Sequence, residues 1–380
     1  MNRSVTFFVC LVTALSTFAF AQSTQPASTS PVAYVYVSSS PTTSNYQING
    51  YSAASSGRLT PIVGSPFPGA VQWMAVNGKW LFGADDFMYL TSFSIASNGA
   101  LQQVSTINAS SYNPYNTGGP ENVFLDHTGT TLYDGDLYAY GTGDNGYEAF
   151  TVDQSTGQLN FLQLSSNGGV AVGTRLSFTG SNQYAYSSSC YEGYVSIFGY
   201  QRNSDGSLTQ LNINPQVPAL NNGNYYCPNY AAADPTNHIA VSLTPTNFYS
   251  QVGPPQLAVY TQDSSGNLTT TSTSANMPTT QIKTITDFWM SPSGKLLAVA
   301  GTGGLQVFHF NGASPITRYT GLLTKDEIDQ VFWDNNNHLY GVSRTAGKLY
   351  VFTVTPSKHY QAPGSPYTIT SPQNLIVLPK

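Results

Sequence analysis

The sequence predicts an all-β fold, a β-propeller of seven four-stranded blades, on three observations. The first is a recurring Gly-x-Leu after a polar turn, at Gly57-Arg58-Leu59, Gly99-Ala100-Leu101, Gly157-Gln158-Leu159, Gly206-Ser207-Leu208 and Gly266-Asn267-Leu268. These turns lie about 40–60 residues apart, the period of a propeller unit. The second is a two-residue alternation, clearest in Gly193–Leu211, where Val195, Ile197 and Gly199 point one way and Ser196, Phe198 and Tyr200 the other. The third is a first blade with no inner strand of its own, matched by a C-terminal run, Asn374–Leu378, patterned like Asn122–Asp126. That run is expected to complete blade one, closing the ring and removing an open sheet edge.

Each unit divides into an inner, a second, a third and an outer strand. Second strands are expected at 33–38, 79–84, 131–136, 183–188, 238–243, 295–300 and 338–343. Third strands follow at 45–51, 88–95, 146–152, 193–200, 255–261, 303–310 and 347–354. Inner strands fall at 72–76, 122–126, 175–179, 230–234, 287–291 and 330–334, with 374–378 as the seventh. Gly64-Ser65-Pro66-Phe67 and Gly364-Ser365-Pro366-Tyr367 sit at equivalent points before an inner strand and support this phasing. The Pro/Gly/Asn-rich stretches 109–120, 212–228 and 245–254 read as loops elaborating one face.

Ahead of the repeats, Met1-Asn2-Arg3 is a basic head, Val5–Phe18 is apolar and Ala19-Phe20-Ala21 offers small residues for cleavage, the pattern of a secretory signal ending at Ala21. Residues 22–30 read as a disordered leader and 31–380 as the propeller. The expectation is an exported protein, periplasmic or extracellular, acting as a monomer. No stretch approaches the ~20 apolar residues of a membrane span. Only 8% of the chain is charged and the net charge is −5, which gives no reason to expect a nucleic-acid partner. Cys190 and Cys227 are the cysteines left after signal removal, on one face of neighbouring blades, and export permits a disulfide between them.

Inner strands of a propeller all start on one face, the top, around a central channel. The residues opening them are Gln72, Asn122, Arg175, Tyr230, Asp287, Gln330 and Asn374, all polar, with Glu121 just outside. Such a ring suits a small polar ligand, a carbohydrate or water. Asp287 opens a strand two blades beyond Arg175 and is expected to lie too far round the ring for an ion pair. That leaves Arg175 to meet an anionic or carbonyl group. The histidines fall elsewhere: His127, His238 and His338 on the bottom face, His309 and His359 towards the outer strands. Gly141–Gly146 fits G-x-G-x-x-G but leads into a strand, so no dinucleotide is expected. Asp134, Asp136, Asp144 and Glu148 lack the spacing of a calcium loop, and no metal or cofactor is expected. Loop tyrosines such as Tyr112, Tyr191, Tyr225 and Tyr226 offer rings for packing or for stacking on sugars.

Taken together, the Gly-x-Leu turns, the Gly-Ser-Pro-Phe phrase and Ser-Pro-Ser-Gly at 291–294 give a chain that resembles the seven-bladed propeller lactonases, which include 6-phosphogluconolactonases and muconate-lactonising enzymes. That resemblance implies a top-face set of His, Arg, Glu and a second Arg. The family's His-Pro-His falls on Gly119-Pro120-Glu121, its Gly-Pro-Arg on Gly173-Thr174-Arg175, and its glutamate on Cys190, with Glu192 two residues on. The second arginine, expected near Gly301–Gly304, has no counterpart. The first functional reading is therefore a binding or interaction module using the top face, for a small ligand or a protein partner. The alternatives are a hydrolase of a lactone or small ester using Arg175 with Glu192, and a structural envelope component.

Overall fold

Period-two alternation becomes sheets whose faces are buried between neighbouring blades. The computed structural model describes residues 30–42, 45–85, 88–112, 122–135, 146–166, 175–191, 194–220, 223–247 and 250–380. The strands form seven antiparallel sheets, each four strands deep, and Pro31–Lys380 makes one compact unit. Blade two shows the plan: Trp73–Val76 inside, then Trp80–Ala84, Tyr89–Ile95 and Leu101–Asn108 outermost. Two blades carry a short extra strand, Phe67–Pro68 in blade one and Tyr367–Thr368 in blade seven. Each follows a Gly-Ser-Pro turn whose serine Oγ accepts a third-strand N–H, Ser65 from Gly50 and Ser365 from Val351, both at 2.8 Å.

The ring closes as expected. Pro372–Pro379 pairs antiparallel with Ala33–Thr42 in an unbroken register from Ala33↔Pro379 to Ser38↔Asn374. The core lies between blades. Tyr34, Tyr36 and Ile48 of blade one pack on Leu81 and Phe93 of blade two, and Val35 and Val37 pack on Tyr340 and Val342 of blade seven. Burying each such side chain contributes about 1.5–3 kcal/mol.

The Gly-x-Leu turns have a second task. Their glycines all have positive φ, between 73° and 96°. At three of them the carbonyl accepts a tyrosine hydroxyl from the preceding blade: Tyr36 to Gly99 at 2.8 Å, Tyr133 to Gly206 at 2.6 Å and Tyr186 to Gly266 at 2.8 Å. A Cβ on Gly99 would stand 2.7 Å from the Tyr34 ring, so the turn needs glycine for close approach as well as for its backbone.

Two inner strands start earlier than the sequence suggests, at Tyr225 rather than Tyr230 and at Thr284 rather than Asp287. The loop expected to run to 228 therefore ends inside a strand. In both strands the pairing register shifts just before the residue in question, between Pro228 and Tyr230 and between Ile285 and Asp287. Such an irregularity bends a strand and re-aims the side chain that follows. The longer strand also places Cys227 within Tyr225–Ala233, where it is disulfide-bonded to Cys190 of Tyr184–Tyr191.

Candidate functional site at the channel mouth

The inner strands enclose a cavity of about 470 Å³. Its walls are largely aromatic and aliphatic, with Trp73, Phe124, Phe178, Trp289, Phe332 and Leu375 among them. Asn122, Arg175, Gln330 and Asn374 also line it, so four of the expected rim residues share one cavity.

Three rim side chains hold the next blade. Asp287 Oδ2 of blade six accepts the Val331 N–H of blade seven at 2.8 Å. Gln330 Oε1 of blade seven accepts the Leu375 N–H of blade one at 2.8 Å. Asn374 Oδ1 of blade one accepts the Met74 N–H of blade two at 3.0 Å. In each case the acceptor serves a backbone N–H one or two residues inward of the rim on the neighbouring inner strand. Gln72 takes part through its backbone, its carbonyl accepting Ser38 Oγ at 2.9 Å.

Arg175 departs from expectation. Its Nη1 donates to Asp287 Oδ1 at 3.0 Å and its Nη2 to the Phe288 carbonyl at 2.7 Å. The expected separation fails because the inner strands converge on a narrow channel. A long side chain from blade four passes in front of blade five and reaches blade six, where the shifted register presents Asp287. The guanidinium carbon also lies 3.7 Å from the centre of the Trp289 ring, which itself meets Phe332 in a tilted contact at 4.2 Å. Asp287 is buried, and its Oδ1 accepts the Phe288 N–H at 2.8 Å as well. Two backbone N–H groups thus hold that carboxylate independently of the arginine. Tyr230 is close enough to feel both charges. Burial first, then the Asp287 carboxylate, push its hydroxyl up to about 12, with Arg175 acting in the opposite sense.

The family glutamate position, Cys190, is taken up by the disulfide to Cys227, while Glu192 two residues on and Glu121 at the histidine position lie outside the described residues, as do Asp136, Asp144 and most of the Gly141–Gly146 loop. Asp134 and Glu148 are buried and directly opposite each other across two strands of blade three, and Asp134 Oδ1 accepts the Asn122 N–H at 3.2 Å. No cluster of three metal-ligating residues occurs among the described residues. The histidines keep away from the mouth. His238 and His338 bond through Nδ1 to Asp234 and Asp334, and His309 and His359 flank the ring of Tyr319. His127 lines the cavity beside Phe178, and burial lowers its pKa.

Sequence reasoning passed over Arg344. It lies in the turn joining the second and third strands of blade seven, a top-face turn like the others. Its guanidinium carbon sits 5.5 Å from the centre of the Trp73 ring. Nε donates to the Gln373 carbonyl at 2.7 Å and lies 3.9 Å from Asp329 Oδ1, while the side chain is 38% exposed. A scan of the top turns for cations, rather than of the position the family uses, would have found it.

No family model and no curated protein matches the chain. Solved structures do. A 6-phosphogluconolactonase-like protein from Bacteroides fragilis is 13% identical with a TM-score of 0.66, covering 93% of this chain and 99% of its own. A periplasmic gluconolactonase from Pseudomonas aeruginosa is 14% identical with a TM-score of 0.66, covering 91% and 99%. A 6-phosphogluconolactonase-like protein from Bacteroides uniformis is 13% identical with a TM-score of 0.63, covering 91% of this chain and 99% of its own. At these identities the likeness is one of fold, and in fold the chain is a divergent seven-bladed propeller of the lactonase-like kind.

Proposed function

We propose that the protein is an exported binding module that takes a small ligand into its central channel. The observation that carries this reading is the aromatic-walled cavity of about 470 Å³, a size and lining suited to a small molecule. Arg175 supports binding over catalysis. Its charge is already paired with the buried Asp287 carboxylate and its Nη2 is tied to the Phe288 carbonyl, which weakens and fixes it as a stabiliser of a developing oxyanion. The paired cysteines favour an oxidising compartment.

The test is a screen of lactones, small organic acids and glycans, read by thermal shift and by hydrolysis. Binding without turnover, weakened by Trp289→Ala, is the expected result. Turnover of a lactone that Arg175→Ala abolishes would replace this reading with a hydrolase.

A further inference from the structure

We infer that the channel mouth recognises a monoanionic carboxylate with a flat, apolar body, and that Arg344, not Arg175, holds the carboxylate. This rests on the reading of the mouth as a ligand site.

The two arginines are spent differently: Arg175 lines the cavity, and Arg344 stands beside its wall at Trp73. Each stands against a tryptophan of the cavity wall, Arg175 on Trp289 and Arg344 on Trp73. Arg175 gives Nη1 and Nη2 to protein acceptors. Arg344 is anchored through Nε to the Gln373 carbonyl, and its Nη1 and Nη2 have no acceptor among the described residues. An anchored guanidinium with two parallel donors left over is the geometry that takes a carboxylate in a fork.

The wall decides the body of the ligand. Trp73, Phe124, Phe178, Trp289 and Phe332 present rings. Of the rim amides that line it, Gln330 Oε1 is committed to Leu375 and Asn374 Oδ1 to Met74, which leaves Asn122 as the open one among the described residues. A polyhydroxylated ligand would bury hydroxyls without partners, which is costly. One cation beside the wall and the aromatic faces of the wall together fit an aryl carboxylate.

The probes are naphthoate, its neutral isostere naphthamide, and gluconate as a polyol acid, each titrated by tryptophan fluorescence and calorimetry. Naphthoate is expected to bind about tenfold or more tightly than naphthamide, the worth of one charge-assisted contact. Arg344→Gln should bring naphthoate down to the level of naphthamide at an unchanged melting temperature, and Arg344→Lys should restore part of the difference. Equal binding of naphthoate and naphthamide, or no effect of Arg344→Gln, would overturn this inference while leaving the mouth as a ligand site. Binding of gluconate alone would overturn it too. If none of the probes binds and the broader screen finds no ligand for the channel, the reading of the mouth falls with it.

Discussion

The rim has two halves that use similar residues differently. From blade six through seven and one to blade two, Asp287, Gln330 and Asn374 each accept a backbone N–H from the next blade. From blade three to blade five that chain of acceptors is not seen among the described residues. The side chain of Asn122 bonds to none of them, and the Tyr230 N–H donates within its own blade to Ser242 Oγ at 3.1 Å. Arg175 skips blade five to reach blade six. A polar residue at the head of an inner strand is therefore not a ligand contact by position. Where the neighbouring strand presents a buried N–H it becomes a fastener, and elsewhere it is available.

The difference can be broken from the fastened side. Deleting 373–380 removes the closing strand, and with it the acceptor that reaches blade two and the N–H that Gln330 holds. The loss is expected to be on the order of several kcal/mol, a large part of a domain's total, seen as a collapse of the melting temperature. A melting temperature within a degree or two of the parent would refute the closure.

Reducing the Cys190–Cys227 bond probes the other half. Its 37-residue separation corresponds to about 3–4 kcal/mol in the chain-entropy description, and urea midpoints with and without reductant measure it. Asp287→Ala should cost about 3 kcal/mol, because it leaves two backbone N–H groups and a guanidinium without their acceptor. Gln330→Ala and Asn374→Ala should each cost about 1–2 kcal/mol, the penalty for one buried N–H left unpaired. Asn122→Ala is the control and should stay within about 0.5 kcal/mol. An Asn122→Ala loss equal to that of Gln330→Ala would erase the distinction between the halves.

Most of the architecture was legible because it is local. Alternation sets each strand, and the Gly-x-Leu turn marks each outer strand with a backbone conformation that few residues other than glycine adopt. The closing strand was legible too, since an absent inner strand at one end and a spare one at the other leave one arrangement. The site was less so. Arg175 and Asp287 meet because of channel width and a register shift, neither of which leaves a trace in spacing. Arg344 went unseen because the family pattern directed attention to Gly301–Gly304, where the two strands of blade six turn through glycines. Glu192 and Glu121 lie outside the described residues.

The pairing of Ala33 with Pro379 also sets an order of events. Blades two to seven each draw their strands from one continuous stretch, so their contacts are short in sequence and can form early. Blade one joins the two ends of the propeller, and closing that loop carries the largest entropy cost in the chain. Until it closes, Ala33–Thr42 has an unpaired edge, the kind of surface on which a second chain can add itself. Crowding during refolding should therefore produce dimers and aggregates joined through the first blade, and a peptide copying 372–380, supplied in excess, should suppress them.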